Sequence, residues 1–184
     1  MKREEALAAI RANVKNENLL KHMLAAEAIM RALARHFGED EDVWGLTGLL
    51  HDIDVELTRG DSETHSKLGS DMVRKLGVSE EITHAVLCHN QAHHTPMSSR
   101  MDKAIYCCDP LTGLITATAL VYPEKKISLV EVKSVEKRFK QPKFAAGANR
   151  EPIAACKEML GLELLDFIQI GLEAMKGIAG DLGL

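Results

Sequence analysis

Aromatic residues are scarce, at 4% of the 184 positions. Few aromatics beside many Ala, Leu, Glu, Lys and Met residues favours helix over strand. Strand-like alternation is also missing beyond a few residues, as are internal repeats and low-complexity tracts. No CxxC pair occurs among Cys88, Cys107, Cys108 and Cys156, and their spacing makes no disulfide framework. They read as reduced thiols of a cytoplasmic protein. The opening Met-Lys-Arg-Glu-Glu has no apolar run behind it, so no secretory signal is expected. The longest mostly apolar stretch, Pro110 to Tyr122, is too short and too rich in Thr to span a bilayer. Surplus positive charge is absent too. The formal charge of −4 argues against general nucleic-acid binding and leaves only local basic segments to meet a phosphate.

What remains suits one soluble domain with a real core: 46% hydrophobic and 27% charged residues. Residues 2–14 predict a short helix with Leu7, Ile10 and Val14 on one face. Asn16 or Asn18 caps a second helix to about Phe37, with Leu19, Met23, Ala26, Ile29, Leu33 and Phe37 as its stripe. Asp40 or Asp42 caps a third, Val43 to about Ile53, and the polar 54–63 reads as a loop. Helices over about 64–76 and 80–90 follow, then a loop at 91–100. In the sixth helix, from near Met101, Pro110 either introduces a kink or opens a new helix capped by Asp109. Beyond Tyr122-Pro123-Glu124 come short helices over 128–139 and 150–160. A last one carries Leu165, Ile168, Leu172 and Met175 on one face. The expected fold class is all-α.

Within that pattern, Leu49-Leu50-His51-Asp52-Ile53-Asp54 places an imidazole beside a carboxylate at the end of an apolar run. A buried carboxylate is costly unless it is paired or holds a metal, and histidine is the commonest metal ligand. One such dipeptide is weak evidence. His22 and Asp109 stand on apolar faces of other helices, and His65 and His89 sit on core faces between them. Alone, each has a bland reading: a lone core histidine is more often hydrogen-bonded than ligating, and Asp109 before Pro110 serves equally as a cap. Together they form a His/Asp set suited to a divalent transition metal such as Fe, Mn, Zn, Co or Ni. Cys107 and Cys108 read as small buried hydrophobes. His84 falls on the face opposite Ile82 and Val86, so it is expected to be exposed, and surface roles are expected for His36, His93 and His94.

The order His22, His51-Asp52, Asp109 resembles the H…HD…D pattern of the HD-domain superfamily of metal-dependent phosphohydrolases. Gly48-Leu49-Leu50 before the dipeptide, Ile53 after it and Thr64-His65-Ser66-Lys67-Leu68-Gly69 resemble that family's usual surroundings. The resemblance covers roughly residues 18–120. It implies a single HD-type domain over 1–184, an all-α helical bundle with a C-terminal helical extension over about 128–184. The whole chain also resembles a group of stand-alone HD proteins that shares the stretches Ala104-to-Leu114 and Phe144-to-Arg150. The family's metal ligands carry over onto His22, His51, Asp52 and Asp109. In two-metal members two further histidines lie between the HD dipeptide and the last Asp, where His65 and His89 stand; a second ion would then share Asp52 as a bridging carboxylate, and since one-metal members also exist the resemblance implies one or two ions. The sequence departs from two subpatterns. Val55 stands where some nucleotidases carry Glu, and the Gly and Lys that follow HDI in cyclic-dinucleotide phosphodiesterases are missing. Those substrates are therefore in doubt.

The expected reaction is hydrolysis of a nucleotide or other small phosphate ester by a metal-activated water, with Asp52 in the catalytic set. Asp54 is the nearest candidate for a general acid, against a plain reading as a solvated loop acid. A phosphate also calls for fixed positive charge. The segment 133–150 holds Lys133, Lys137, Arg138, Lys140, Lys143 and Arg150 against Glu136. Lys143 and Arg150, near a helix start, are the expected substrate-binding pair, against a plain reading of the segment as a solvated face. Two other classes stay open: a di-iron oxygenase of the HD fold, and a non-catalytic metal- or nucleotide-binding regulator. The sequence does not distinguish a monomer from a homo-oligomer.

Overall fold

The computed structural model describes residues 1–184, and its regular elements are all helical. They are α1 (Arg3–Asn13), α2 (Glu17–Phe37), α3 (Glu41–Leu50), α4 (Val55–Thr58), α5 (Lys67–Lys75), α6 (Glu80–Cys88), α7 (Arg100–Leu120), α8 (Val132–Phe139), α9 (Arg150–Ala154), α10 (Cys156–Leu160), α11 (Leu164–Lys176) and α12 (Ala179–Leu182). Of the alternative caps, Asn16 accepts from the Asn18 amide, and Asp40 accepts from the Asp42 and Val43 amides. Gly38 closes α2 in the left-handed region at φ 71°.

Three boundaries differ from expectation, and one of them shapes the site. α3 stops at Leu50, so His51 to Asp54 form a turn, and α4 occupies part of the expected loop. The helix expected over 150–160 breaks at Ala155. α7 runs unbroken through Pro110, which lacks the amide that would bond the Tyr106 carbonyl. Asp109 is therefore a mid-helix residue and not a cap.

α2 is the central strut, packed against α3, α7 and α11. Its Met23, Ile29, Met30 and Leu33 are fully buried with Leu50 of α3, Ile105 and Leu111 of α7, and Phe167 of α11. Each such side chain stabilises the fold by roughly 1.5–3 kcal/mol. The α2–α3 crossing is set by Gly48, where a Cβ would lie 2.6 Å from the Ala26 carbonyl oxygen. Only glycine lets two helix backbones approach so closely. α11 belongs to the same core, since a Cβ on Gly171 would meet Leu111 at 2.8 Å. Glu27 of α2, 4% exposed, is a charged residue in this interior, and it accepts from Arg3 at 2.6 and 2.8 Å and from Arg31 at 3.1 Å. That pairing offsets the cost of burying its carboxylate and pins α1 to α2.

Candidate metal centre

Four histidines from four places in the chain are each fixed by the ring nitrogen that faces away from the centre. His51 Nδ1 donates to the Gly48 carbonyl at 2.8 Å, and His89 Nδ1 donates to the Val86 carbonyl at 2.6 Å. Both are bonds back onto the residue's own helix, three positions earlier. His22 Nδ1 lies 2.8 Å from Thr112 Oγ1. That hydroxyl spends its own proton on the Asp109 carbonyl at 2.7 Å, so it accepts from the imidazole. His65 Nδ1 donates to Asp54 Oδ1 at 2.9 Å. With Nδ1 committed as donor, each neutral ring presents an Nε2 lone pair inward.

Those lone pairs converge in two groups on the two oxygens of Asp52. His22 Nε2 lies 3.1 Å from His51 Nε2, 3.4 Å from Asp52 Oδ2 and 3.1 Å from Asp109 Oδ1. His51 Nε2 completes this group at 3.6 Å from Asp52 Oδ2 and 3.8 Å from Asp109 Oδ1. On the other oxygen, His65 and His89 Nε2 lie 3.1 Å apart, each 3.3 Å from Asp52 Oδ1. Metal–nitrogen and metal–oxygen bonds near 2.1 Å put neighbouring ligands about 3.0–3.4 Å apart. The spacing fits, and so does the chemistry. Unprotonated nitrogens and carboxylate oxygens at this range repel one another unless protons or cations lie between them. His22, His51 and Asp52, and again Asp52, His65 and His89, are therefore grouped closely enough to hold a metal ion.

The charge balance points the same way. Burial pushes the His22 imidazole down, yet the Asp109 and Asp52 carboxylates outweigh it and hold the ring up at about 10. His65 is likewise raised to about 10, by Asp52 and Asp54 against burial. Burial raises Asp52, but His51 and the neighbouring imidazoles carry it well below the carboxylate range. Asp109 is lowered too, by His22 and His51 against burial. The cluster favours positive charge at its centre.

Several sequence expectations need correction. Asp54 is neither a solvated loop acid nor placed to give up a proton. It is fully buried, and its Oδ2 accepts from the Ser66 and Gly69 amides, both at 2.8 Å, while its Oδ1 holds His65. These partners and His65 keep it ionised against burial. Its hydrogen bond holds the His65 ring in one orientation. To bring its amide to Asp54, Ser66 takes a left-handed φ of 66°, a conformation that costs of order 1–3 kcal/mol. Arg150 does not reach toward the centre. Its guanidinium donates to the main-chain carbonyls of Arg138, Phe139, Gln141, Phe144, Ala145 and Ala148. Arg138, Gln141 and Ala145 also accept backbone amides through these carbonyls, so Arg150 adds a second donor there and a side-chain donor to the rest of the loop. Lys143 is exposed and lies outside the lining of the cleft described next. His84 is not free: Nδ1 meets Asp102 Oδ2 at 3.1 Å, and the same oxygen accepts the Ser98 and Ser99 amides at the start of α7. His93 is tied to the His65 carbonyl at 2.6 Å.

The centre opens into a cleft of about 630 Å³. Asp52, His65, His89 and Asp109 form its floor. Its wall takes Tyr106 from α7, His94 from the loop after α6, and Asn149 and Glu151 from the start of α9. Sequence reasoning missed Thr112, although its place three residues after Asp109 on one helix was visible. It also missed Tyr106 and Glu151, which carry no local signal. A separate hollow of about 460 Å³ between α1 and α2 is lined by Leu7, Ile10 and Val14 and holds none of the ligand set.

Comparison with known proteins agrees with this geometry. The family model described as HD domain matches residues 19–133, which takes in all six converging residues. Ribonuclease Y of Oleidesulfovibrio alaskensis is 29% identical over 98 residues, 53% of this chain and 18% of that protein. Ribonuclease Y of Desulfotalea psychrophila is 30% identical over 99 residues, again 53% and 18%. Ribonuclease Y of Sulfurovum sp. is 26% identical over 138 residues, 73% of this chain and 27% of that protein. The chain thus spans between a sixth and about a quarter of the length of these relatives. No solved structure matches it, and no helix is long and apolar enough to cross a membrane. A helical bundle gathers His22, His51, Asp52 and Asp109 in the family's order, and the family model covers well over half the residues: the chain belongs to the HD-domain family, whose superfamily is that of the metal-dependent phosphohydrolases.

Proposed function

We propose that the chain hydrolyses phosphate esters of nucleotides or other small molecules, with His22, His51, Asp52 and Asp109 holding one divalent transition-metal ion. His65 and His89 hold a second ion with Asp52 between the two. The observation that carries this reading is the pair of donor groups facing opposite oxygens of one carboxylate at the floor of an open cleft. Divalent ions so held lower the pKa of water and neutralise phosphoryl oxygens.

The chain's own residues give that chemistry its precision. Thr112 and the Gly48 and Val86 carbonyls fix three imidazoles in the tautomer that presents Nε2 inward, and Asp54 fixes the fourth. Asp54 is thereby a positioning residue, and the expectation that it serves as the general acid is set aside. Asp52 joins the two groups, so its loss breaks both. The wall of the cleft leaves room for a substrate above the floor and offers it Asn149, His94 and Tyr106 as polar partners. The relatives named ribonuclease Y make a phosphodiester of RNA a second candidate ester beside the monoester.

Metal analysis of the purified chain with His51→Ala and Asp52→Ala, followed by phosphate release from a panel of esters, tests the proposal. Both variants should lose metal, Asp52→Ala from both groups, because removing one ligand leaves the others without their partner. Full metal occupancy in both variants refutes the ligand assignment. The doubled donor set also suits a di-iron pair that activates dioxygen. Iron content with oxygen uptake and no phosphate release selects that reading.

A further inference from the structure

The wall of the cleft carries no lysine or arginine. This is notable in a chain whose segment 133–150 is rich in both. That segment passes beside the cleft and turns its cations elsewhere. Arg150 faces main-chain carbonyls. The guanidinium carbon of Arg138 sits 4.7 Å from the centroid of the Phe144 ring. Lys140 pairs with Glu136 at 2.6 Å. Of that segment only Gly147 and Asn149 line the cleft, and the residue that follows the segment, Glu151, brings an acid to it. Asn149 Oδ1 accepts the Glu151 amide at 3.0 Å, which fixes the first turn of α9. The Glu151 side chain then joins the wall with no hydrogen bond or ion pair of its own. Tyr106 lines the same wall, and its hydroxyl is raised by burial and next by the Glu151 charge, so the two are neighbours. Both act on whatever extends from the metal floor.

The charge balance then restricts the substrate. Two divalent ions held there would be offset by Asp52 and Asp109 and, behind His65, by the ionised Asp54, which leaves a surplus of one to two positive charges on the floor. That is enough for one phosphate group and no more. Nothing on the wall neutralises a second phosphate, and Glu151 adds a negative charge where it would lie. A carboxylate without a partner is instead an acceptor for a hydroxyl or amino group, and a tyrosine offers a ring for a flat substrate to stack on.

We propose that Glu151, with Tyr106 beside it, determines specificity: it accepts a hydrogen bond from a hydroxyl or amino group of a substrate carrying one phosphate and repels strands of phosphates. The proposal rests on the phosphoester reading above and narrows it. Glu151 lies outside the segment 19–133 that matches the family, so the selection belongs to this chain's C-terminal extension.

The test uses the full, metal-loaded chain as wild type, Glu151→Gln and Glu151→Lys, with metal content and melting temperature checked to be equal. Binding of adenosine monophosphate and of a single-stranded RNA hexamer is measured by competition at fixed ionic strength, and kcat/KM is measured for both. The wild type should prefer the monophosphate. Glu151→Gln should shift the ratio of affinities toward the hexamer by about tenfold, as removal of one charge near another at a water-exposed site does. Glu151→Lys should shift it further, with the gain fading as salt rises. An unchanged ratio in both variants overturns the proposal, even if both ligands are hydrolysed and the phosphoester reading stands. A ratio that moves without turnover of either ligand upholds the selection and refutes the hydrolase. Failure of the monophosphate to bind the wild type refutes both, whereas a hexamer that binds only the variants upholds the selection.

Discussion

Replacing Gly48 by Ala probes how the α2–α3 crossing makes the site. The added Cβ would sit 2.6 Å from the Ala26 carbonyl oxygen, 2.7 Å from its carbonyl carbon and 2.8 Å from the Glu27 amide nitrogen. All three are backbone atoms, so no side chain can swing aside. The helices must part by at least about 0.4 Å to bring the closest contact to 3.0 Å. Overpacking of this kind costs about 1–3 kcal/mol, or roughly 3–10 °C in melting temperature for a domain of this size. His22 rides on α2 and His51 follows α3, so their 3.1 Å separation opens with the crossing. Metal sites tolerate errors of only about 0.2 Å, and affinity should drop with stability. Gly113→Ala is the control. Its Cβ would meet only the Ala148 methyl at 3.7 Å, within the same long helix that carries Asp109. There the better helix propensity of Ala should stabilise by about 0.5–1 kcal/mol. The two Gly-to-Ala changes should thus have opposite signs in thermal melts, and only Gly48→Ala should weaken metal binding in a chelator competition. If both variants melt alike and bind metal like the wild type, the close crossing does not position the site.

Asp54→Asn keeps the shape but removes the charge that holds His65, so affinity for the ion at His65 and His89 should fall about 10–100-fold while the His22 group keeps its ion; equal loss from both groups contradicts the division. His22 and His65 are raised to about 10 in the absence of metal, above an unfolded value of 6.5. Their contribution is therefore fully present below about pH 6.5 and is lost as pH rises through 10. Chelator-treated protein should lose melting temperature over that range more steeply than loaded protein, in which cations have displaced those protons, and parallel curves argue against this assignment. Asp52, Asp54 and Asp109, all lowered, act at the other end, and their contribution is lost as pH falls below the ordinary carboxylate value. Arg150→Lys should destabilise by about 1–3 kcal/mol and loosen residues 138–150 to proteolysis, because an ammonium cannot replace a planar fork among carbonyls; an unchanged digestion pattern refutes that role.

The sequence by itself determined the longer helices, their apolar faces and the six residues that converge, but not α4 or the break at Ala155. A face repeats with the period of the helix, so His22, His51, His89 and Asp109 could be placed toward the interior one element at a time. It also separated His89 from His84, which differ by more than a turn in phase. Partners were out of its reach. Asp54 reads as a loop acid until Ser66 and Gly69, more than ten residues on, turn their amides to it. Arg150 at a helix start reads as an anion site until the loop from Arg138 to Ala148 wraps its carbonyls around the guanidinium. In both cases charge and residue type are local properties, whereas the group that neutralises the charge arrives from another part of the chain. Only the tertiary structure sets the two donor groups on opposite oxygens of Asp52, because that arrangement depends on how closely Gly48 lets α3 approach α2. It alone brings Glu151 to the cleft, since the path of α9 follows from packing against α7 and from no periodicity in its five residues.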